Sequence, residues 1–155
     1  IGTVGVFVNE TESFVLDKIN EFDLKYIQLH GTESPHFCKN IKRLNRKVIK
    51  AFNIHPEFDF SQLDDYTPYC DYFLFDAFGK NAGGNGITFD WELLDKYTGE
   101  TPFLLSGGID SNMAKSLKGI SHPMYKGVDI NSKFEISPGL KDIKQIKKFK
   151  DELRS

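Results

Sequence analysis

The sequence predicts an α/β fold built on a parallel sheet. Three observations carry that expectation. Six short runs rich in β-branched and aromatic residues recur along the 155 residues. Each is bounded by Gly, Asn or Pro, as buried parallel strands are. Stretches of helical period lie between them, and such alternation builds right-handed βαβ units. A chain of this length is read as one domain, residues 1–155, with no linker-like or low-complexity stretch.

The strands are expected at Thr3–Asn9, Tyr26–His30, Val48–Phe52, Tyr72–Ala77, Phe103–Gly107 and Lys126–Ile130. Between the first two, Glu12–Asn20 places Phe14, Val15 and Ile19 on one helical face. Ser34–Leu44 opens with Ser34 as N-cap and Pro35 at the first helical position, followed by Phe37 and Ile41. Between Pro56 and Pro68 the run EFDFSQLDDYT has room for a short helix around Phe60–Asp65. Asp90 caps a helix to Tyr97 carrying Trp91, Leu93 and Leu94, and Asp110 or Ser111 caps one burying Met113 and Leu117. The last helix is expected over Leu140–Leu153, with Ile143, Ile146, Phe149 and Leu153 in one stripe and its lysines on a solvated face. Two architectures accept six such units: an open doubly wound sheet, or part of a (β/α)8 barrel. Spacing alone does not choose between them.

Composition narrows the function classes. The formal net charge of −2 offers no global positive field for nucleic acid or an anionic membrane. No apolar run approaches the roughly 18 residues needed to cross a bilayer. Cys38 and Cys70 form no CxxC pair and are expected as reduced thiols of a cytoplasmic protein. The chain opens on Ile1 and enters a core strand by Thr3, so further residues are expected upstream.

Alternate residues of a strand share a face, and enzymes on parallel sheets gather reactive groups at the C-terminal strand ends. His30, Lys50, Asp76, Asp129 and Asn131 all lie at or near such ends. Gly107 and Gly108 precede the helix that Asp110 opens, where glycine lets backbone N–H groups approach an anion. Asn131 and Ser132 end the last strand, ahead of a short extra helix expected over Lys133–Ile136, and together these loops suggest a phosphate site. There is no GxGxxG or GxxxxGK[ST] phosphate loop and no GxSxG elbow. His30 and His36 lack partners at zinc-ligand spacing, so no metal site is expected. Acid–base chemistry on a phosphorylated small molecule remains.

The motifs VGVFVNE (4–10), YIQLHG (26–31), VIKAF (48–52), FLFDA with GGNGITFDW, FLLSGGID (103–110) and VDINSKFEISPGLKD (128–142) together resemble the phosphoribosylanthranilate isomerase family along essentially the whole chain. The resemblance implies a (β/α)8 barrel, present here as about six βα units, strands three to eight. It implies the Amadori rearrangement of N-(5-phosphoribosyl)anthranilate in tryptophan biosynthesis, without cofactor or metal, in a monomer or homodimer. By that similarity Asp76 is the general acid, its protonated form favoured by flanking Phe and Leu. Gln28, His30 and Asp129 surround the substrate; Gly107, Gly108, Asn131 and Ser132 bind phosphate; and Gly83, Gly84 and Gly86 belong to a loop that covers the site. One departure matters. The family's general base is a cysteine in a KICG-like first strand, and an arginine after the second strand meets the anthranilate carboxylate; neither has a match here. Neither Cys38 nor Cys70 substitutes for the base. The 155 residues alone are therefore expected to be inactive, with a non-catalytic phosphate-binding fragment or a related barrel enzyme such as indole-glycerol-phosphate synthase as alternatives.

Overall fold

Side-chain alternation along the strands sets the architecture. A computed structural model describes residues 1–76 and 91–155. Six strands, β1 (Val4–Phe7), β2 (Tyr26–Leu29), β3 (Lys47–Asn53), β4 (Tyr72–Asp76), β5 (Phe103–Ser106) and β6 (Tyr125–Val128), pair in parallel and in chain order. A doubly wound sheet needs a reversal of strand order, and this sheet has none. Among the described residues the helices also pack on one of its faces. On that face Ile27, Val48, Phe73, Phe75 and Phe103 meet Val15, Ile19, Cys38, Ile41, Leu117 and Phe149 from the helices. The opposite face holds a small cluster of strand residues, Ile49, Ala51 and Leu74, flanked by Tyr26, Tyr72 and Leu104. The open doubly wound alternative is excluded.

The helices begin where their caps allow. In α1 (Glu12–Phe22) the Thr11 hydroxyl accepts from the Phe14 N–H, and Asp23 ends the helix in the left-handed region at φ 45°. In α2 (Pro35–Lys42) the Ser34 hydroxyl accepts from the Phe37 N–H with Pro35 at the first position, as expected. Short 3-10 turns run over Phe60–Leu63 and Trp91–Lys96. The helix expected after Asp110 is a 3-10 turn, Ser111–Met113, leading into α3 (Ala114–Lys118). An aromatic layer fills the space between sheet and helices: the Phe75 ring stacks on Phe103 at 4.7 Å and meets Tyr97 edge-on at 5.3 Å.

The C-terminal region departs from expectation. The extra helix is only one turn, Ser132–Phe134, followed by β7 (Glu135–Ser137), which pairs antiparallel with β8 (Leu140–Lys141). Pro138 drives the residue before it into extended backbone, and Gly139 supplies the φ of 82° that turns the hairpin. Leu140 and Lys141 are consequently outside the last helix. That helix, α4 (Ile143–Arg154), starts at Asp142, whose carboxylate accepts from the N–H groups of Lys144 and Gln145.

One buried-edge carboxylate ties three elements. Asp71, just before β4, accepts from Lys42 Nζ of α2, from Lys47 Nζ at 2.8 Å and from the Val48 N–H at 2.9 Å. Burial pushes Asp71 up, but these hydrogen bonds together outweigh it and hold the carboxyl below the ordinary aspartate range.

Candidate active site

The C-terminal ends of the strands open on a cavity of about 550 Å³. Its wall collects Gln28 and His30 from the end of β2, Asp76 from β4, Gly107 and Gly108 after β5, and Asp129, Asn131 and Ser132 after β6. Lys50 apart, the expected site residues among the described residues therefore meet in one place. Gly83, Gly84 and Gly86 lie outside the described residues.

One side of the cavity is a short polar chain. Gln28, 8% exposed, directs Nε2 at His30 Nδ1, 2.8 Å away. With Gln28 donating, Nδ1 accepts and the proton of the imidazole sits on Nε2. That Nε2–H points at Asp76 Oδ2 at 3.4 Å. Of the Phe and Leu expected around the carboxyl, the described ones divide between the two faces of the sheet. Phe73 and Phe75 point into the helix layer and are fully buried there, whereas Asp76 shares its face with Leu74 and its side chain is 31% exposed to the cavity. A smaller cavity of about 420 Å³, lined by Asn9, Thr32 and Asn53, also borders His30 and Asp76.

The other side is built from backbone. Gly107 and Gly108 take φ values of 94° and 60°, which a β-carbon disfavours. Ser106 Oγ donates to Asp129 Oδ2 at 3.3 Å. Lys141 reaches the cavity from β8, donating to Asn131 Oδ1 and Glu135 Oε1, both at 2.6 Å. The ion pair holds the Glu135 carboxyl below the usual range through the Lys141 hydrogen bond.

Two of these residues were not singled out from sequence. Ser106 immediately precedes the glycine pair and shares the cavity-facing side of β5 with Leu104, so alternation could have found it. Lys141 was hidden because its segment carried helical periodicity. One expected member is elsewhere. Lys50 does not join the cavity: it points with Val48 and Phe52 into the helix layer, where its ammonium lies 3.4 Å from Glu33 Oε2. Cys38 and Cys70 are free thiols buried in that same layer.

Among the described residues no cluster of three or more His, Cys, Asp or Glu side chains is arranged to hold a metal ion, and no helix is long and apolar enough to cross a membrane.

Fold and site define an α/β protein of the parallel-sheet class whose polar groups converge at the strand ends, the arrangement of enzymes acting on small molecules. The profile of N-(5'phosphoribosyl)anthranilate (PRA) isomerase matches residues 1–152. The N-(5'-phosphoribosyl)anthranilate isomerase of Parabacteroides distasonis is 47% identical over 146 residues, which are 94% of this chain and 66% of that protein. That of Phocaeicola vulgatus is 44% identical over 151 residues, 97% of this chain and 74% of that protein. Among solved structures, a phosphoribosyl anthranilate isomerase in complex with reduced 1-(o-carboxyphenylamino)-1-deoxyribulose 5-phosphate superposes with a TM-score of 0.81 at 32% identity, covering 99% of this chain and 72% of that one. The Thermotoga maritima enzyme gives the same score and identity, with 73% of its chain covered. The chain belongs to the N-(5'-phosphoribosyl)anthranilate isomerase family, a family of isomerases. It spans about two thirds to three quarters of the length of these relatives.

Proposed function

We propose that these 155 residues carry the acid side and the phosphate side of a phosphoribosylanthranilate isomerase site, the reaction being the Amadori rearrangement of N-(5-phosphoribosyl)anthranilate. The observation that supports this most is the placement of Asp76 and the glycine pair in one cavity, with His30 beside the carboxyl. Opening the ribose ring requires a proton on the ring oxygen, and Asp76 supplies it as general acid. Gly107, Gly108, Asn131 and Ser132 hold the phosphate, and Gln28, His30 and Asp129 line the sugar between them. Forming the enolamine then requires a base to take the proton from the neighbouring carbon. None of the 155 residues matches the family's cysteine, and both cysteines of the chain are buried away from the cavity.

The six strands are read as the third to eighth of a (β/α)8 barrel, supported by their unbroken order and by the share of the solved relatives that they cover. The protein is read as cytoplasmic, and as a monomer or homodimer; a Thermotoga maritima relative is described as dimeric. An indole-glycerol-phosphate synthase would be expected to use several strand-borne lysines and glutamates, whereas Lys50, the one lysine within an expected strand before its end, faces the helix layer.

The test is turnover, followed as loss of substrate fluorescence. The 155-residue chain is expected to show none, and a chain extended at its N-terminus by a KICG-like strand is expected to turn over. Turnover by the short chain would contradict the missing-base account. No turnover by the extended chain would favour a non-catalytic phosphate-binding protein.

A further inference from the structure

Lys50 and Glu33 form a buried pair that the chemistry above does not use. Both side chains are 2% exposed. The Lys50 ammonium donates to the carbonyls of Leu29 at 3.3 Å, Gly31 at 2.8 Å and Ala51 at 2.8 Å, so all its hydrogens are committed. The Glu33 carboxylate accepts from the Asn9 N–H at 2.8 Å and from the Gly31 N–H at 3.0 and 3.2 Å.

These partners share a location. Leu29 and Gly31 flank His30 in the chain, and Lys50 holds the carbonyl on each side of it. Asn9 follows β1 and itself accepts from Thr32 through Oδ1, at 2.7 Å from the N–H and 3.0 Å from the hydroxyl. The ends of β1, β2 and β3 are therefore locked together from behind the sheet, at the level where His30 turns toward Asp76. Burying an ion pair is seldom the cheapest route to stability, because an apolar pair of similar volume is often as good or better. What apolar side chains cannot do is give partners to carbonyls and amides where the chain leaves the strand ladder.

We propose that Lys50 and Glu33 are positioning residues: acting from the helix side of the sheet, they set the backbone around His30 and so the His30–Asp76 geometry in the cavity. The kinetic part of this inference rests on the isomerase reading; the geometric part does not.

The test is the double variant Lys50→Met with Glu33→Gln, which removes both charges and leaves neither buried alone. In the 155-residue chain, ¹⁵N spectra of the His30 ring are expected to show a single Nε2–H form. The double variant is expected to show averaged ring shifts while circular dichroism still reports a folded chain. In the N-terminally extended chain the same double variant is expected to lose about 10²-fold in kcat, the cost of a small misplacement of reacting groups, with far less change in KM. A folded double variant with unchanged His30 shifts and unchanged kcat would overturn the proposal. If the double variant does not fold, Glu33→Gln alone, which leaves Lys50 on its three carbonyls, must still broaden or shift the His30 ring signals; unchanged signals would overturn it. If the extended chain with native Lys50 and Glu33 shows no turnover, the isomerase reading fails, and the ring signals alone decide the positioning role.

Discussion

At the residue scale, the account turns on Asp76. Its carboxyl faces the cavity from the last residue of β4, with His30 Nε2 at 3.4 Å. In an N-terminally extended chain, Asp76→Asn is expected to lower kcat by about 10²–10⁴-fold, the usual contribution of acid catalysis. Steady-state kinetics checks this, and a near-normal kcat would remove Asp76 from the acid role. Much of this site was legible from strand alternation, which grouped Leu74 with Asp76 and Gln28 with His30. The same rule puts Lys50 with Val48 and Phe52, as the structure has them. It could not say which face looks onto the cavity, because strands of a parallel sheet are apolar on both faces and carry no polarity signal. Lys50 was therefore counted toward the wrong side.

At the element scale, caps and prolines were readable, and hydrogen-bonded register was not. Ser34 and Asp110 each sit where a helix or turn begins, since their side chains satisfy N–H groups that the first turn leaves open. The β7–β8 hairpin was missed because Leu140 fits the apolar stripe of the following helix, while the pairing that claims it is a tertiary event. Asp71 shows the same limit: its role depends on bringing α2, β3 and β4 together. Its folded-state pKa is depressed, so its stabilising contribution is present above the ordinary aspartate value and is lost as pH falls through the lower folded value. Unfolding free energy is expected to fall on acidification below about pH 4. Asp71→Asn is expected to cost about 1–3 kcal/mol near neutral pH and to flatten that acid limb, both measured by denaturant unfolding. An unchanged acid limb in the variant would show that Asp71 does not link the three elements.

At the scale of the whole molecule, helices on one face and an unreversed strand order leave the other face for chemistry. That face gathers residues from β2, β4, β5 and β6 whose sequence positions span from Gln28 to Ser132. It also leaves β1 presenting Val4 and Val6 at 46% and 58% exposure along the same cavity wall. The central claim is that the acid and phosphate sides of the site are already assembled in these 155 residues. Titrating the chain with reduced 1-(o-carboxyphenylamino)-1-deoxyribulose 5-phosphate, while following backbone amide shifts, tests it most directly. The account predicts saturable binding, with the largest shifts at Gly107, Gly108 and Asp129–Ser132 at one end and at His30 and Asp76 at the other. Absence of binding, or shifts confined to the helix side of the sheet, would contradict it.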